Sequence, residues 1–322
     1  MLLSTLLLGL MSLLISLAAS SPFYDDMDAN RFKQIESTIR AWEKQRKKEL
    51  KNAGPDEPLF PIRNDWSCKS PRHSNPIIML HGLSGTRQLE VNFLELWLRR
   101  QGFCTFSFTY GSWSRILPEL PFLGGVRAVD DSSNEIATFV QQVIAATNSS
   151  KVDIVGHSEG AFLAIYIPRF WPLVGNAAQN IIAIGPPTRG TTLRKFFAST
   201  LVFGARSRRA WRKVLGKMGC PACDELLPDG APIMRLRAAT PVRLPHTTLT
   251  IIATRHDRTI TPPETAFLYE PGVRNMYIQD DCPADPVEHI GLAVDFNVWN
   301  VVRNTLDKQF DRKYQCVAGL RI

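Results

Sequence analysis

Ser158 stands in Gly156-His157-Ser158-Glu159-Gly160, between a β-branched run, Val152 to Val155, and an apolar run, Ala161 to Tyr166. The first run reads as a strand and the second as a helix packed in a core. A G-x-S-x-G turn between strand and helix presents the serine hydroxyl at the carboxyl edge of a sheet, with glycines where a Cβ would clash. A serine hydroxyl is a poor nucleophile until a base takes its proton, and the base is normally a histidine oriented by a carboxylate. In hydrolases built on such a turn the chain order is serine, acid, histidine.

Downstream of Ser158 the histidines are His246, His256 and His289. His289 lies in Glu288-His289-Ile290-Gly291-Leu292, on a loop after the last strand-like segment and before a final helix. That is the place for a base that solvent can reach. His246 precedes a strand and so belongs at the opposite end of a parallel sheet. The acid should end a strand, and Thr248 to Thr254 is one, followed by Arg255-His256-Asp257. Asp257 is therefore the candidate acid, with Asp280, Asp281 and Asp285 as rivals on the histidine's own loop. A tetrahedral intermediate needs two backbone N–H donors. Glu159, after the nucleophile, supplies one. Leu83, in Leu80-His81-Gly82-Leu83-Ser84-Gly85 after the first central strand, supplies the other, and His81 is assigned a hydrogen-bonding role in that loop. The Glu159 side chain either opposes charge developing beside it or counts for nothing beyond its backbone.

The elements that must hold these residues alternate along the chain. Strands are predicted over 76–80, 103–109, 152–155, 181–184, 248–254 and 274–279, and helices over 88–101, 130–147, 160–170 and 296–308. Apolar strands separated by helices predict an α/β protein with a mostly parallel sheet covered on both faces. With 322 residues, 44% of them hydrophobic and 21% charged, the chain has material for one large core. Two stretches break the alternation. One is 112–126, with Trp113, Ile116, Leu117, Leu120, Phe122 and Leu123. The other is 193–218, where basic residues such as Arg208, Arg209 and Arg212 mix with Phe196, Phe197 and Trp211 and no acidic residue occurs.

Residues 1–20 carry no charge, are strongly apolar from Leu2 to Leu17, and end in Ala18-Ala19-Ser20. They read as a secretory signal peptide, with an uncleaved anchor over 2–19 as the alternative. Residues 21–60 read as an N-terminal helical segment and linker: Phe32, Ile35, Ile39 and Trp42 have helical spacing, a basic cluster follows at Arg46-Lys47-Lys48, and Gly54 to Pro58 breaks the pattern. Removal of 21–48 as a pro-segment is the alternative. Residues 61–322 form the main domain. Six cysteines suit an oxidising compartment. Cys220-Pro-Ala-Cys223 reads as a local disulfide, Cys68 and Cys104 can meet at the first two strands, and Cys282 and Cys316 would pin the C-terminal tail, among about 15 formal pairings. Asn148-Ser149-Ser150 is a glycosylation sequon between helix and strand. Neither a metal site nor a cofactor motif is read from the chain. The net charge of +8 alone is no case for nucleic acid, and secretion argues against it.

Several pieces together resemble a known family. They are Asn64-Asp65-Trp66-Ser67-Cys68, His81-Gly82, Tyr110-Gly111, Lys151 to Ser158, Arg189-Gly190-Thr191-Thr192-Leu193, Cys220-Pro-Ala-Cys223, Ile252 to Asp257, Gln279 to Asp285, and His289-Ile-Gly-Leu292. In this order they are similar to the secreted α/β-hydrolase lipases of the actinomycete class 2 type, related to the yeast lipase B type. The resemblance implies an α/β-hydrolase fold with cap or lid insertions. It also implies hydrolysis of hydrophobic carboxylic esters through an acyl-enzyme, a Ser158–Asp257–His289 triad and a Cys68–Cys104 bridge. The chain departs from the family in carrying Glu159 where Gln is common, and in enlarged 112–126 and 193–218 segments, which are expected to shape substrate entry. A basic, aromatic-studded 193–218 suits a lipid interface, and a cap helix with its charges in solvent explains it equally. The competing expectations are an esterase or acyl transferase acting on a small hydrophobic metabolite, and a catalytically inactive binding protein on the same fold.

Overall fold

Side chains that alternate across each strand set the layers of this protein. The computed structural model describes residues 64–113, 123–191 and 219–321, apart from the side chain of Leu89. The expectations for 1–20 and 21–60, and most of 112–126 and 193–218, lie outside the described residues. What is described falls within one unit, Ile62–Ile322. Among the described residues six strands occur: β1 (Ile77–Leu80), β2 (Thr105–Ser107), β3 (Val152–His157), β4 (Ala178–Ile184), β5 (Thr248–Ala253) and β6 (Val273–Tyr277). Helices are α1 (Asn92–Arg100), α2 (Val129–Thr147), α3 (Glu159–Phe170), α4 (Pro172–Ala177), α5 (Pro221–Glu225), α6 (Ala231–Ala238), α7 (Ile278–Asp281) and α8 (Phe296–Leu306). A π-helical turn, Arg87–Val91, leads into α1. The strands form one parallel sheet in the order β2-β1-β3-β4-β5-β6.

Ile78 and Leu80 of β1 point into one core with Val152 and Ile154 of β3 and Leu249 and Ile251 of β5, under α2 and α3. Ile77 and Met79, Val155 and Ile252 point the other way, under Leu94 and Leu98 of α1 and Val298, Val301 and Val302 of α8. Burial on both faces explains why the strands read as continuous apolar runs. Each buried Val, Leu or Ile contributes about 1.5–3 kcal/mol. In α2, Val129, Ser133, Ile136, Val140, Val143 and Thr147 recur at three- and four-residue steps and are all buried. This helix ends at Asn148, an exposed residue in the left-handed conformation (φ 53°).

Two strand expectations were too long. At the sheet edge β2 spans only Thr105–Ser107, where the Asn64 amide accepts from Ser107 N at 2.9 Å and donates to Ser107 O at 3.0 Å. Beyond β6 the chain turns into α7, where the Asp280 carboxylate accepts from Tyr277 N at 2.8 Å. The short helices α4 to α7 have too few turns to show a period. Disulfides join Cys68 to Cys104, Cys220 to Cys223 and Cys282 to Cys316. The last holds the C-terminal tail beside the loop of His289, where Glu288 N donates to Leu320 O at 3.4 Å.

Candidate active site

The turn at Ser158 is tight because two glycines let main chain touch main chain. A Cβ on Gly156 would collide with the carbonyl of Gly160, and one on Gly160 with the carbonyls of Leu80 and His81. Ser158 itself has φ 54° and ψ −119°, a strained conformation for a residue with a side chain. Such strain costs on the order of 1–3 kcal/mol and persists where the surroundings enforce it. Here Ser158 N is tied to Ile184 O at 2.8 Å, and α3 starts at the next residue. Ser158 thereby sits past the carboxyl end of β3, at the side of the sheet where ligands bind in parallel α/β proteins.

His289 and Asp257 arrive from the ends of other strands. The Nε2 atom of His289 lies 2.9 Å from Ser158 Oγ, and its Nδ1 lies 2.8 Å from Asp257 Oδ2. With the serine proton donated to Nε2, Nδ1 carries the ring hydrogen and donates it to the carboxylate. Asp257 is fixed in turn by Thr259 N and Ile260 N, which donate to its other oxygen at 2.8 and 2.7 Å. Both Asp257 and His289 are buried. The rivals have other partners. Asp280 caps α7, Tyr314 donates to Asp281, and Asp285 accepts from Val287 N, Gly319 N and the Asn297 amide. His246 bonds the carbonyl of Gly175 at 2.9 Å, before β5 begins.

The loop after β1 closes the site. A Cβ added to Gly82 would stand 3.0 Å from Ser158 Cβ, so this loop lies against Ser158. Neither Leu83 N nor Glu159 N donates to another described residue. Glu159 opens α3, and the first amides of a helix point outward without internal partners and favour negative charge. The His81 ring stacks on Tyr110 with centroids 4.1 Å apart, bonds Gly82 O through Nδ1 at 2.9 Å, and burial pushes its pKa down. It is a packed element of the loop, as its position upstream of the serine suggests.

The Glu159 side chain is turned into the protein. It is fully buried, both carboxyl oxygens lack a hydrogen-bond partner among the described residues, and a Cβ on Gly125 would collide with Oε2. Burial first, then the carboxylates of Glu90 and Glu225, push its pKa well above the usual carboxylate range. Charge on this carboxyl is thereby suppressed near the site.

A pair of residues that sequence reasoning passed over completes the arrangement. His157 Nδ1 lies 2.6 Å from Glu90 Oε1, and its Nε2 lies 3.0 Å from the carbonyl of His289. Glu90 also accepts from Gly82 N at 2.7 Å. The only signal in the chain was the histidine inside the serine pentapeptide. Among the described residues, no group of three or more His, Cys, Asp or Glu side chains is placed to hold a metal ion, and no helix is long and apolar enough to cross a membrane. A cavity of about 490 Å³ at the amino ends of the strands, lined by Arg72, Asn75, Asn180 and Asp307, holds none of the site residues.

Known proteins resemble this chain in part of its sequence and in its fold. Residues 74–187 match the family model described as Lipase (class 2), a span that includes Ser158 but not Asp257 or His289. A triacylglycerol lipase of Pseudarthrobacter phenanthrenivorans is 28% identical over 130 residues, 39% of this chain and 37% of that protein. One of Burkholderia plantarii is 28% identical over 130 residues, 39% of this chain and 33% of that protein. The matched region thus spans only about a third of these relatives' length. Aspergillus fumigatus lipase B superposes with a TM-score of 0.58 at 17% identity, over 76% of this chain and 55% of that one. The mature Bacillus licheniformis lipase BlEst2 gives 0.52 at 15% identity, over 74% and 93%. The chain is thus similar to class 2 lipases across residues 74–187, the segment that carries Ser158, and its fold is similar to that of solved α/β-hydrolase lipases.

Proposed function

We propose that the protein is a secreted serine carboxylic-ester hydrolase acting on hydrophobic esters through an acyl-enzyme. The observation that carries this reading is the unbroken contact from Ser158 Oγ through His289 to Asp257, at 2.9 and 2.8 Å. In the first half-reaction Ser158 Oγ attacks the ester carbonyl carbon as its proton passes to His289 Nε2. The carbonyl oxygen becomes an oxyanion facing Leu83 N and Glu159 N. Collapse breaks the bond to the alkoxy oxygen, which leaves as the alcohol with the proton from His289. Water then attacks the acyl-serine by the same route and releases the acid. Asp257 fixes the ring tautomer and stabilises the imidazolium. Loss of one oxyanion donor typically costs about 10²–10³ in kcat.

Hydrophobic substrates are supported by the relatives named as triacylglycerol lipases and by the exposed apolar side chains of Leu123 and Ile290, the latter adjoining His289. The segments 112–126 and 193–218 are proposed to meet a lipid interface, through their aromatic residues and the basic residues of 193–218. Secretion is supported by the apolar leader, the three disulfides and the exposed sequon at Asn148, which we propose is glycosylated.

The test is a panel of p-nitrophenyl esters from acetate to palmitate together with a triglyceride emulsion. The expected result is preference for long acyl chains and faster turnover at the emulsion surface. A marked preference for soluble short esters overturns the lipase form of the reading. No turnover of any ester by folded protein overturns ester hydrolysis itself.

A further inference from the structure

Three loops meet at the site, and one carboxylate reaches two of them directly and the third through a histidine. Glu90 leaves the π-helical turn before α1 and places Oε1 2.7 Å from Gly82 N and 2.6 Å from His157 Nδ1. His157 ends β3 next to the nucleophile and sends Nε2 to the carbonyl of His289 at 3.0 Å. A carbonyl oxygen has no hydrogen to give, so Nε2 must carry one. Glu90 Oε1 already accepts the Gly82 amide, and that bond favours the ionised carboxylate. The second ring hydrogen then belongs on Nδ1, directed at Glu90. We propose that Glu90 and His157 are positioning residues, a buried carboxylate–imidazolium pair that holds the Gly82–Leu83 turn and the backbone of His289 in register with Ser158.

This inference rests on the reading of Ser158, His289 and Leu83 as the reacting machinery. The surroundings bear on it from each packed element. Burial works against charge on His157, and Glu90, the His289 carbonyl and Asp257 together outweigh it, leaving its pKa raised. Burial likewise works against a Glu90 carboxylate, and His157, His81 and the Gly82 amide outweigh it, leaving its pKa lowered. Glu159 faces the same carboxylate and is held toward its acid form. The His157 and His289 rings lie 5.2 Å apart between centroids, so a shift of one is felt by the other. When pH rises far enough to take the proton from His157, Nε2 keeps its hydrogen on the His289 carbonyl. The bare Nδ1 then faces a carboxylate with no hydrogen between them. The pair breaks, and an alkaline loss of activity follows.

The test measures kcat and KM from pH 6 to 10 for wild type, Glu90→Gln, Glu90→Asp and His157→Gln, with fluorophosphonate labelling rates at Ser158. Glu90→Gln is expected to lower kcat about 10–100-fold, as small misplacements of reacting groups do, with KM little changed. Its alkaline limb should move to lower pH, because the carboxylate that holds the His157 proton is gone. Glu90→Asp should recover part of kcat and the wild-type limb. Folded Glu90→Gln with kcat within twofold of wild type and an unmoved limb overturns the proposal. If Glu90→Gln does not fold, ¹⁵N NMR of the wild-type histidines decides. A His157 ring carrying both protons at pH 7 supports the pair, and a neutral one overturns it. Wild type that takes no label at Ser158 instead overturns the catalytic reading beneath it. A labelled wild type with equal rates in Glu90→Gln overturns only the positioning role.

Discussion

The carboxyl of Glu159 ends against Gly125, and the missing side chain of that glycine makes room for it. A Cβ at Gly125, where φ is +67°, would collide with Glu159 Oε2. Glu159, the residue after Ser158, thus presents its amide at the start of α3 and buries its acid away from water.

Replacement of that acid has a predictable sign. The folded-state pKa of Glu159 is raised above 4.5, so the stability of the acid form is fully present below about pH 4.5 and is lost as pH rises toward the folded value. Glu159→Gln keeps the shape and removes the ionisation. Its stability should match wild type near pH 4 and pull ahead as pH rises, on the order of 1.4 kcal/mol per pH unit within that window. Urea unfolding of both proteins at several pH values checks this, and parallel pH curves would count against it.

On the proposed mechanism Asp257 acts through orientation. Asp257 accepts from His289 Nδ1 and from two backbone amides, so Asp257→Asn leaves a site of similar shape with the ring tautomer reversed. We expect kcat to fall about 10⁴-fold, with KM near that of wild type. Steady-state kinetics on a soluble ester measure both. A loss below tenfold would assign the role to another carboxylate.

A second buried acid lies under the C-terminal tail. Asp295 caps α8 by accepting from Val298 N at 2.9 Å, and its Oδ2 has no partner among the described residues. Burial chiefly, with Asp285 adding to it, pushes its pKa from 3.8 up to about 7. The stabilising acid form is therefore lost as pH climbs from about 4 through about 7. Asp295→Asn retains the cap and cannot ionise. Its melting temperature should be close to wild type at pH 4 and higher at pH 8. A lower value at pH 8 would show that the charged cap outweighs its burial.

How much of this was readable from the chain depended on whether the cause was local. Gly156 and Gly160 flank Ser158 within five residues, and the turn they permit is encoded there. Asp257 and His289 were legible because strand ends in a parallel sheet converge on one edge, so order along the chain predicts proximity. Glu90 was not legible. It lies in a segment that reads as one more amphipathic helix, and its partner His157 is 67 residues away. The contact of Asn64 with Ser107 at the sheet edge escaped for the same reason, since the two are 43 residues apart. Residues 1–20 and 193–218, and most of 112–126, lie outside the described residues.

The central claim is that Ser158 forms the covalent intermediate. The direct measurement is fluorophosphonate labelling of folded wild type and Ser158→Ala, with the adduct located by peptide mass spectrometry. One adduct per chain is predicted, on the peptide carrying Ser158, absent in Ser158→Ala and slowed in Asp257→Asn. Folded wild type that takes no label, or a label that survives Ser158→Ala, would contradict the account.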